Sequence, residues 1–139
     1  MAFTTYLADA LVNEIFGAVN FTPPTTIYIG LSSTLPTVAG GNITEPAIGT
    51  NGYARASVAN NTTNFPTTSS NNKSNGVAIN FPTSTGSWLA AAQLGYLFFS
   101  DTATGGNILG FAALNNPQVV ASSGATLSFA AGSLTITIN

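Results

Sequence analysis

Cysteine and histidine, two residue types that carry much of protein chemistry, are absent from the 139 residues of this chain. Without cysteine the chain forms no disulfide and offers no thiolate ligand. Without histidine it has no Ser/His/Asp or Cys/His catalytic machinery, none of the usual zinc sites and no imidazole pH switch. We therefore expect no metal, no cofactor and no catalytic residues.

Charged residues are also scarce and make up only 4% of the chain. Two basic residues cannot neutralise a run of phosphates, so we expect no nucleic acid and no anionic membrane as partner. The net charge of −2 and the mean hydropathy of +0.33 leave little repulsion between neighbouring molecules. The composition therefore predicts a protein that works inside an assembly. The charged residues are Asp9, Glu14, Glu45, Asp101, Arg55 and Lys73.

Long apolar runs are also missing. The longest, residues 88–99, is interrupted by Gln93 and Gly95 and is shorter than the roughly 20 residues that a membrane helix needs. The first 21 residues lack a basic segment and are interrupted by Asp9 and Glu14. We expect neither a membrane span nor a signal peptide.

The only arginine of the chain, Arg55, lies ten positions after one of its four acidic residues, Glu45. Glu45 precedes a proline and Arg55 follows Gly52, so a loop separates them. Charges with little exposure are usually paired. We expect an ion pair between Glu45 and Arg55 that either clamps a loop to a strand or belongs to a partner contact. Glu45 could instead meet Asp101 as a glycosidase-like pair, but acids in Gly/Pro-rich loops commonly serve as turn residues.

Residues 4–18 have the period of an amphipathic helix. Thr4 or Thr5 can cap its start, and Gly17 offers a stop. The apolar stripe either covers the core of its own domain or docks on another subunit, and the sequence does not separate these alternatives. The stripe consists of Tyr6, Leu7, Ala10, Leu11 and Ile15.

After a proline hinge at residues 21–24, short runs of β-branched and aromatic residues alternate with Gly, Pro and Asn signals. This pattern predicts a mainly β protein, an antiparallel β-sandwich or jelly-roll-like fold with one N-terminal amphipathic helix. The predicted strands are residues 27–31, 52–59, 77–81, 88–100 with a kink at Gly95, 108–114, 118–121, 125–129 and 133–138, with turns at 101–107 and 115–117.

We expect a single domain, 1–139. Its parts are the helix and hinge, residues 1–22, and the sandwich, residues 26–139. A Thr/Asn/Ser tract at residues 60–75 has too few apolar residues to order itself, so it predicts a long polar loop that needs a neighbour.

Aromatic residues next to Asn/Thr loops could form a platform for carbohydrate. Trp88, Tyr53 and Tyr96 are the candidates for such a platform. The same residues also suit a hydrophobic core, since large aromatic side chains dominate core packing.

Eight segments, in their order along the chain, resemble the small virion proteins of tailed bacteriophages that are commonly labelled tail fibre proteins. The resemblance covers almost the whole chain, and its most specific part is Glu-Pro followed by Gly-Tyr-Ala-Arg. Residues 88–92 depart from it, since a more polar, β-branched strand is expected there. The matching segments are residues 1–11, 27–32, 40–46, 52–55, 79–82, 86–88, 105–109 and 131–136.

The resemblance implies a virion protein, assembled in the host cytoplasm, and similar small sandwiches also serve as capsid cement or decoration proteins. The chain has no heptad or fibre-shaft repeat, whereas adhesive polar loops and an N-terminal arm suit cement. We therefore predict a capsid cement or decoration protein that stabilises the shell, with the major capsid protein or other copies of itself as partners. The alternative is a tail fibre or receptor-binding component that contacts host-surface glycans. The candidate partner contacts are Tyr6, Leu7, Leu11, Ile15, Asn64, Phe65 and Lys73.

Overall fold

A computed structural model describes residues 1–68 and 70–137 of the chain. An α-helix lies near the N-terminus, and the remaining elements are strands joined by turns. The elements are β1 (Ala2–Phe3), α1 (Thr5–Gly17), β2 (Thr26–Ser32), β3 (Ala56–Ala59), β4 (Asn72–Ser74), β5 (Ile79–Asn80), β6 (Leu94–Ser100), β7 (Ile108–Gln118), β8 (Ser128–Phe129) and β9 (Thr135–Thr137).

Five strands form the main sheet in the order β1-β7-β6-β2-β3, and every neighbouring pair is antiparallel. Two smaller antiparallel pairs, β4 with β9 and β5 with β8, lie outside this sheet. The prediction of a mainly β, antiparallel fold with one N-terminal helix is confirmed.

Both faces of the main sheet are covered, as in a sandwich. On one face, Ile29 and Leu97 belong to the large core cluster that also contains Ile79 of β5. On the other face, Phe98 and its neighbours pack against the partly buried Ile43 of a long loop. The central strands are therefore apolar on both sides, which explains why β2 and β6 lack a simple alternation of apolar and polar residues.

A close approach in the centre of the sheet depends on glycine. Gly30 of β2 pairs across the sheet with Phe98 of β6. A Cβ atom at position 30 would lie 2.2 Å from Cζ of the Phe98 ring. Because real Cβ atoms essentially never approach a carbon that closely, only glycine leaves room for this ring against the neighbouring strand.

Several predicted strands are shorter than the sequence indicated. The second begins at Ala56 rather than at 52, because Gly52 has a φ of +77° and turns the chain. The strand predicted at 77–81 is ladder-paired only over Ile79–Asn80, since its partner β8 pairs over two residues. The strand predicted at 125–129 is accordingly limited to Ser128–Phe129.

The kink predicted at Gly95 and the turn predicted at 115–117 form one irregularity. β6 and β7 pair at Leu94 with Gln118 and again at Tyr96 with Ala113, so the register shifts between these pairs. Residues 114–117 form an outward bulge within β7, and 118–121 is not a separate strand.

The tract at residues 60–75 contains a buried aromatic residue and a short strand among its described residues. Phe65 is buried in the core, and β4 pairs with β9. The buried Asn75 side chain donates to the carbonyls of Val77 and Ala130 and accepts from the N–H of Leu134. The Phe65 ring and the Asn75 amide thus connect the parts of the tract around them to the rest of the chain. The closing strand is Thr135–Thr137, and Ile138, which was predicted to belong to it, lies outside the described residues.

A left-handed turn replaces the predicted start of a strand at residue 88. Leu89, Ala90 and Ala91 have φ values of 46°, 50° and 61°. This conformation costs about 1–2 kcal/mol per non-glycine residue. The flanking Trp88 holds the turn in place, since its side chain is buried and its indole N–H donates to the carbonyl of Asn51 at 2.9 Å.

Candidate interaction surfaces

Two of the rare charged residues, Glu45 and Arg55, meet beside the main sheet. Both belong to the long loop between β2 and β3: Glu45 lies near its middle, and Arg55 lies just before β3. Arg55 Nε donates to Glu45 Oε1 and Arg55 Nη2 donates to Glu45 Oε2, each at 2.9 Å. Only 6% of the Arg55 side chain and 14% of the Glu45 side chain are exposed. The structure therefore places the two residues in a bidentate, nearly buried ion pair within one chain.

The remaining donors of Arg55 reach the β6–β7 hairpin. Its Nη1 donates to Ser100 Oγ at 3.0 Å and to the carbonyls of Thr102 and Gly105 at 2.9 Å each. Its guanidinium carbon lies 5.0 Å from the centre of the Phe98 ring, within the range of a cation–π contact. One side chain thus connects a loop, a strand edge and a hairpin.

Tyr53 completes this network from the core side. Its hydroxyl donates to Glu45 Oε1 at 2.9 Å and accepts from the N–H of Leu31 at 3.1 Å. Burial raises the pKa of Tyr53 far above its ordinary value, and the adjacent Glu45 carboxylate raises it further. The phenol therefore stays neutral in the folded protein.

The other carboxylate considered for catalysis has a local structural task. Asp101 Oδ1 accepts from the backbone N–H of Asn107, and Oδ2 accepts from the Asn107 side chain, each at 2.8 Å. Asp101 therefore closes the β6–β7 hairpin as a turn residue. Both oxygens of Glu45 are occupied by Arg55 and Tyr53, so the network has the geometry of a structural clamp.

Helix α1 is attached to the sandwich by its first turn. Thr4 is buried, and its hydroxyl donates to the carbonyl of Ile108 and accepts weakly from the N–H of Leu7. The N–H of Thr5 donates to the carbonyl of Val38 at 2.8 Å. The last helical residue is Gly17. The residue that takes the left-handed conformation and stops the helix is Ala18, with a φ of 52°.

Beyond this attachment, the helix carries exposed apolar side chains. Leu7 and Leu11 are half-buried, whereas Tyr6 and Ile15 are exposed. The side chain of Phe16 is 84% exposed and that of Ile15 is 70% exposed, and no residue of α1 is fully buried. The predicted stripe is therefore split between the body and solvent.

The sequence reasoning missed a second apolar row on the exposed side of α1. Val12 and Phe16 belong to it, and Val19 just beyond the helix is 60% exposed. The sequence does carry a signal for this row, because Ala8, Val12 and Ile15 are four and three residues apart and so share one side of a helix. We define Ala8, Val12, Ile15 and Phe16 as the outer face of α1.

The partner contacts predicted in the polar tract lie in different settings. Asn64 donates from its side chain to the carbonyl of Ala59 at 2.8 Å. Phe65 is only 6% exposed and packs in the core. Lys73 Nζ lies 3.3 Å from the carbonyl of Phe65. Phe65 and Lys73 line an apolar pocket of about 170 Å³ together with Leu7.

The proposed aromatic platform is not formed. Tyr53 and Trp88 are each 1% exposed, and their rings pack edge to face with centroids 5.0 Å apart. Tyr96 is half-buried in β6. Tyr53 and Trp88 therefore belong to the core, and a buried ring cannot stack on a sugar from solvent.

A groove that the sequence reasoning missed runs beside the bulge of β7. It has a volume of about 580 Å³, and buried Leu97 and Leu127 contribute to its lining. The lining residues come from distant segments, so no local signal could have identified them. The described residues that line the groove include no charged side chain. Its polar lining side chains are Asn115, Asn116, Gln118, Thr126, Ser128, Ser133 and Thr135.

Among residues 1–68 and 70–137, no helix has the length and apolar character that crossing a membrane requires. Within the same residues, no three acidic side chains come together as a possible metal site.

Comparison with known proteins gives one family match over this chain. No curated protein matches it. A family model described as Podophage GP4 fiber I protein gp80 matches residues 2–137, which is nearly the whole chain. The match supports a phage virion structural protein of the fibre type, and it agrees with the resemblance to tail fibre proteins that the sequence carries. The chain belongs to the podophage GP4 fiber I protein gp80 family.

Proposed function

We propose that this protein is a component of a podophage tail fibre and that it acts by binding, without catalysis. The observation that carries the proposal is the family match over residues 2–137. It favours the fibre alternative over the capsid cement role that we predicted first, because the match gives no support for binding to the capsid shell. The partners proposed here are other virion proteins, including further copies of this chain.

The geometry is compatible with such a role. The Glu45–Arg55 pair and Tyr53 lock a loop, a strand edge and a hairpin into one unit. A locked sandwich can present surfaces at fixed positions, while the exposed side chains of α1 need a partner to remove them from water. A rigid body with one attachment element suits a protein that is built into a larger particle.

The test is localisation in the virion. A reconstruction of phage particles, combined with gold labelling of a tagged copy, is expected to place the protein on the tail. Its copy number should be a small fraction of that of the major capsid protein. Label over the whole shell, at a copy number close to that of the capsid protein, would refute the fibre role and restore the cement role.

A receptor-binding role within the fibre is a second candidate, and the groove beside β7 favours it. Amide and hydroxyl groups without nearby charge suit an uncharged, hydroxyl-rich ligand such as a neutral glycan. The volume of about 580 Å³ falls within the usual range of ligand sites. Partly buried Phe129 adds an apolar ring to the lining.

Competition with phage adsorption tests this second role. Purified protein is expected to reduce adsorption to host cells, and Asn116→Ala should weaken that effect. Asn20→Ala serves as the matched control, because Asn20 is also exposed but does not line the groove. Absence of competition by the wild-type protein would refute receptor binding while leaving the localisation test unaffected.

A further inference from the structure

We infer that the apolar pocket between the start of α1 and the tract at residues 60–75 binds a short-chain carboxylic acid whose carboxylate pairs with Lys73. The inference concerns a separate site and does not depend on where the protein lies in the virion. The pocket has a volume of about 170 Å³, which is close to the roughly 150 Å³ of an engineered cavity that holds benzene. A ligand with about six carbon atoms therefore matches the space in the pocket.

The lining of the pocket is apolar except at two positions. Among its described lining residues, only Asn60 and Lys73 have polar side chains. The Asn60 amide is already engaged, since its Nδ2 donates to the carbonyl of Pro24 at 2.9 Å. The lining therefore suits a hydrocarbon chain rather than a sugar, whose hydroxyl groups would lack partners there. The apolar lining comes from β1, α1, β2, β6, β7 and β9 and includes Phe3, Leu7, Ile27 and Ile136.

The strand pairing directs the Lys73 side chain to this pocket. Lys73 of β4 lies directly opposite Ile136 of β9 in an antiparallel pair, and side chains at opposite positions share one face. Both residues line the pocket. The Lys73 side chain is half-buried, so its aliphatic stem can follow the apolar wall while the ammonium group keeps contact with water. The ammonium group therefore provides one charged position beside an otherwise apolar space.

Charge complementarity selects an acid as the ligand. Among residues 1–68 and 70–137 the ion pair is Glu45–Arg55, so the Lys73 ammonium has no acidic partner there. Of its three donors, the structure engages one, in a long contact of 3.3 Å from Nζ to the carbonyl of Phe65. A carboxylate would supply the counter-charge and accept from the other donors. An amine on the same hydrocarbon chain would instead place two like charges together.

A ligand in this pocket contacts separate parts of the chain at once. Leu7 belongs to α1, Phe65 and Lys73 belong to the tract at residues 60–75, and Ile136 belongs to β9. The strand β4 that carries Lys73 has only 3 residues, so additional contacts are a substantial gain for its pairing with β9. A ligand that binds only the folded chain stabilises it by mass action. The acid therefore acts as a structural ligand that fixes α1 and the tract to the sheet.

Titration of the isotope-labelled full chain with sodium hexanoate, followed by NMR, tests the proposal. Hexanoate is expected to shift the amide signals of residues that line the pocket, with a dissociation constant of about 1 mM or lower. Lys73→Met removes the charge and keeps an aliphatic stem, so it should weaken hexanoate binding by about tenfold or more. Hexylamine, which has the opposite charge on a similar chain, should bind the wild type at least about tenfold more weakly than hexanoate.

Filling the pocket tests the location of the ligand. Leu7→Phe enlarges a lining side chain and should weaken hexanoate binding by about tenfold or more, whereas Leu35→Phe, at an exposed position outside the lining, should leave it unchanged. Affinity should rise about fourfold per CH₂ from butanoate to hexanoate and level off before decanoate. The amide spectrum shows that each variant is folded.

Several results would overturn the inference. Absence of hexanoate binding, equal binding of hexylamine, or an unchanged affinity of Lys73→Met would show that no acid pairs with this lysine. Equal effects of the two phenylalanine variants, or an affinity that keeps rising to decanoate, would show adsorption to apolar surface in place of binding in the pocket.

Discussion

Replacing Arg55 by methionine removes the centre of the charged network and keeps much of its side-chain volume. The substitution leaves the Glu45 carboxylate, which is 14% exposed, with the Tyr53 hydroxyl as its remaining side-chain partner in the network. Breaking a buried ion pair in this way costs about 3–5 kcal/mol, because an uncompensated charge stays inside. A folded domain has a stability of about 5–15 kcal/mol, so the loss is a large fraction of the total.

Urea denaturation measures this loss, and Trp88 provides the probe because it is the only tryptophan and is 1% exposed. With a dependence of about 2 kcal/mol per molar urea, the midpoint should fall by about 2 M. Lys73→Met is the matched control, since it removes the only other basic residue. Lys73 Nζ makes a single long contact to a carbonyl, so we expect a loss of about 1 kcal/mol or less.

A double-mutant cycle identifies the cause of the loss. In a Glu45→Gln background no carboxylate remains to be stranded, so Arg55→Met should then cost only about 1–2 kcal/mol for lost hydrogen bonds and packing. The expected coupling between the two sites is about 2 kcal/mol. If Arg55→Met costs less than about 1 kcal/mol, or the same amount in both backgrounds, the clamp does not stabilise the fold through charge pairing.

Three further predictions concern single positions, each measured by urea or thermal unfolding. Gly30→Ala should cost about 1–3 kcal/mol because its Cβ would overlap the ring across the sheet, whereas Gly95→Ala, with open space around it, should be close to neutral. Burial raises the pKa of Tyr53 in the folded protein. The neutral phenol therefore contributes its full stability below pH about 10, and above that pH the free energy of unfolding falls by up to about 1.4 kcal/mol per pH unit. Tyr53→Phe should remove this part of the loss of stability at alkaline pH. Ala90→Gly should stabilise the left-handed turn by about 0.5–1 kcal/mol, whereas Ala59→Gly in a regular strand should destabilise by a similar amount.

The predictable parts of the fold are those with a strong local signal. The N-terminal helix was predicted to within one residue at each end, because a capping threonine and a regular apolar period identify it. The register irregularity at Gly95 and 115–117 was visible as glycine and proline signals. Scarcity of charge made the Glu45–Arg55 pair conspicuous before any contact was known.

The parts that the sequence did not predict depend on contacts between distant segments. Phe65 looked like one apolar residue in a polar loop, yet it packs in the core, and nearby β4 pairs with β9 at the far end of the chain. The groove combines the bulge of β7 with residues 126–135, and no periodicity relates them. Which side of α1 meets the body was equally open, because the helix is apolar on more than one side and amphipathic period alone cannot rank two apolar rows.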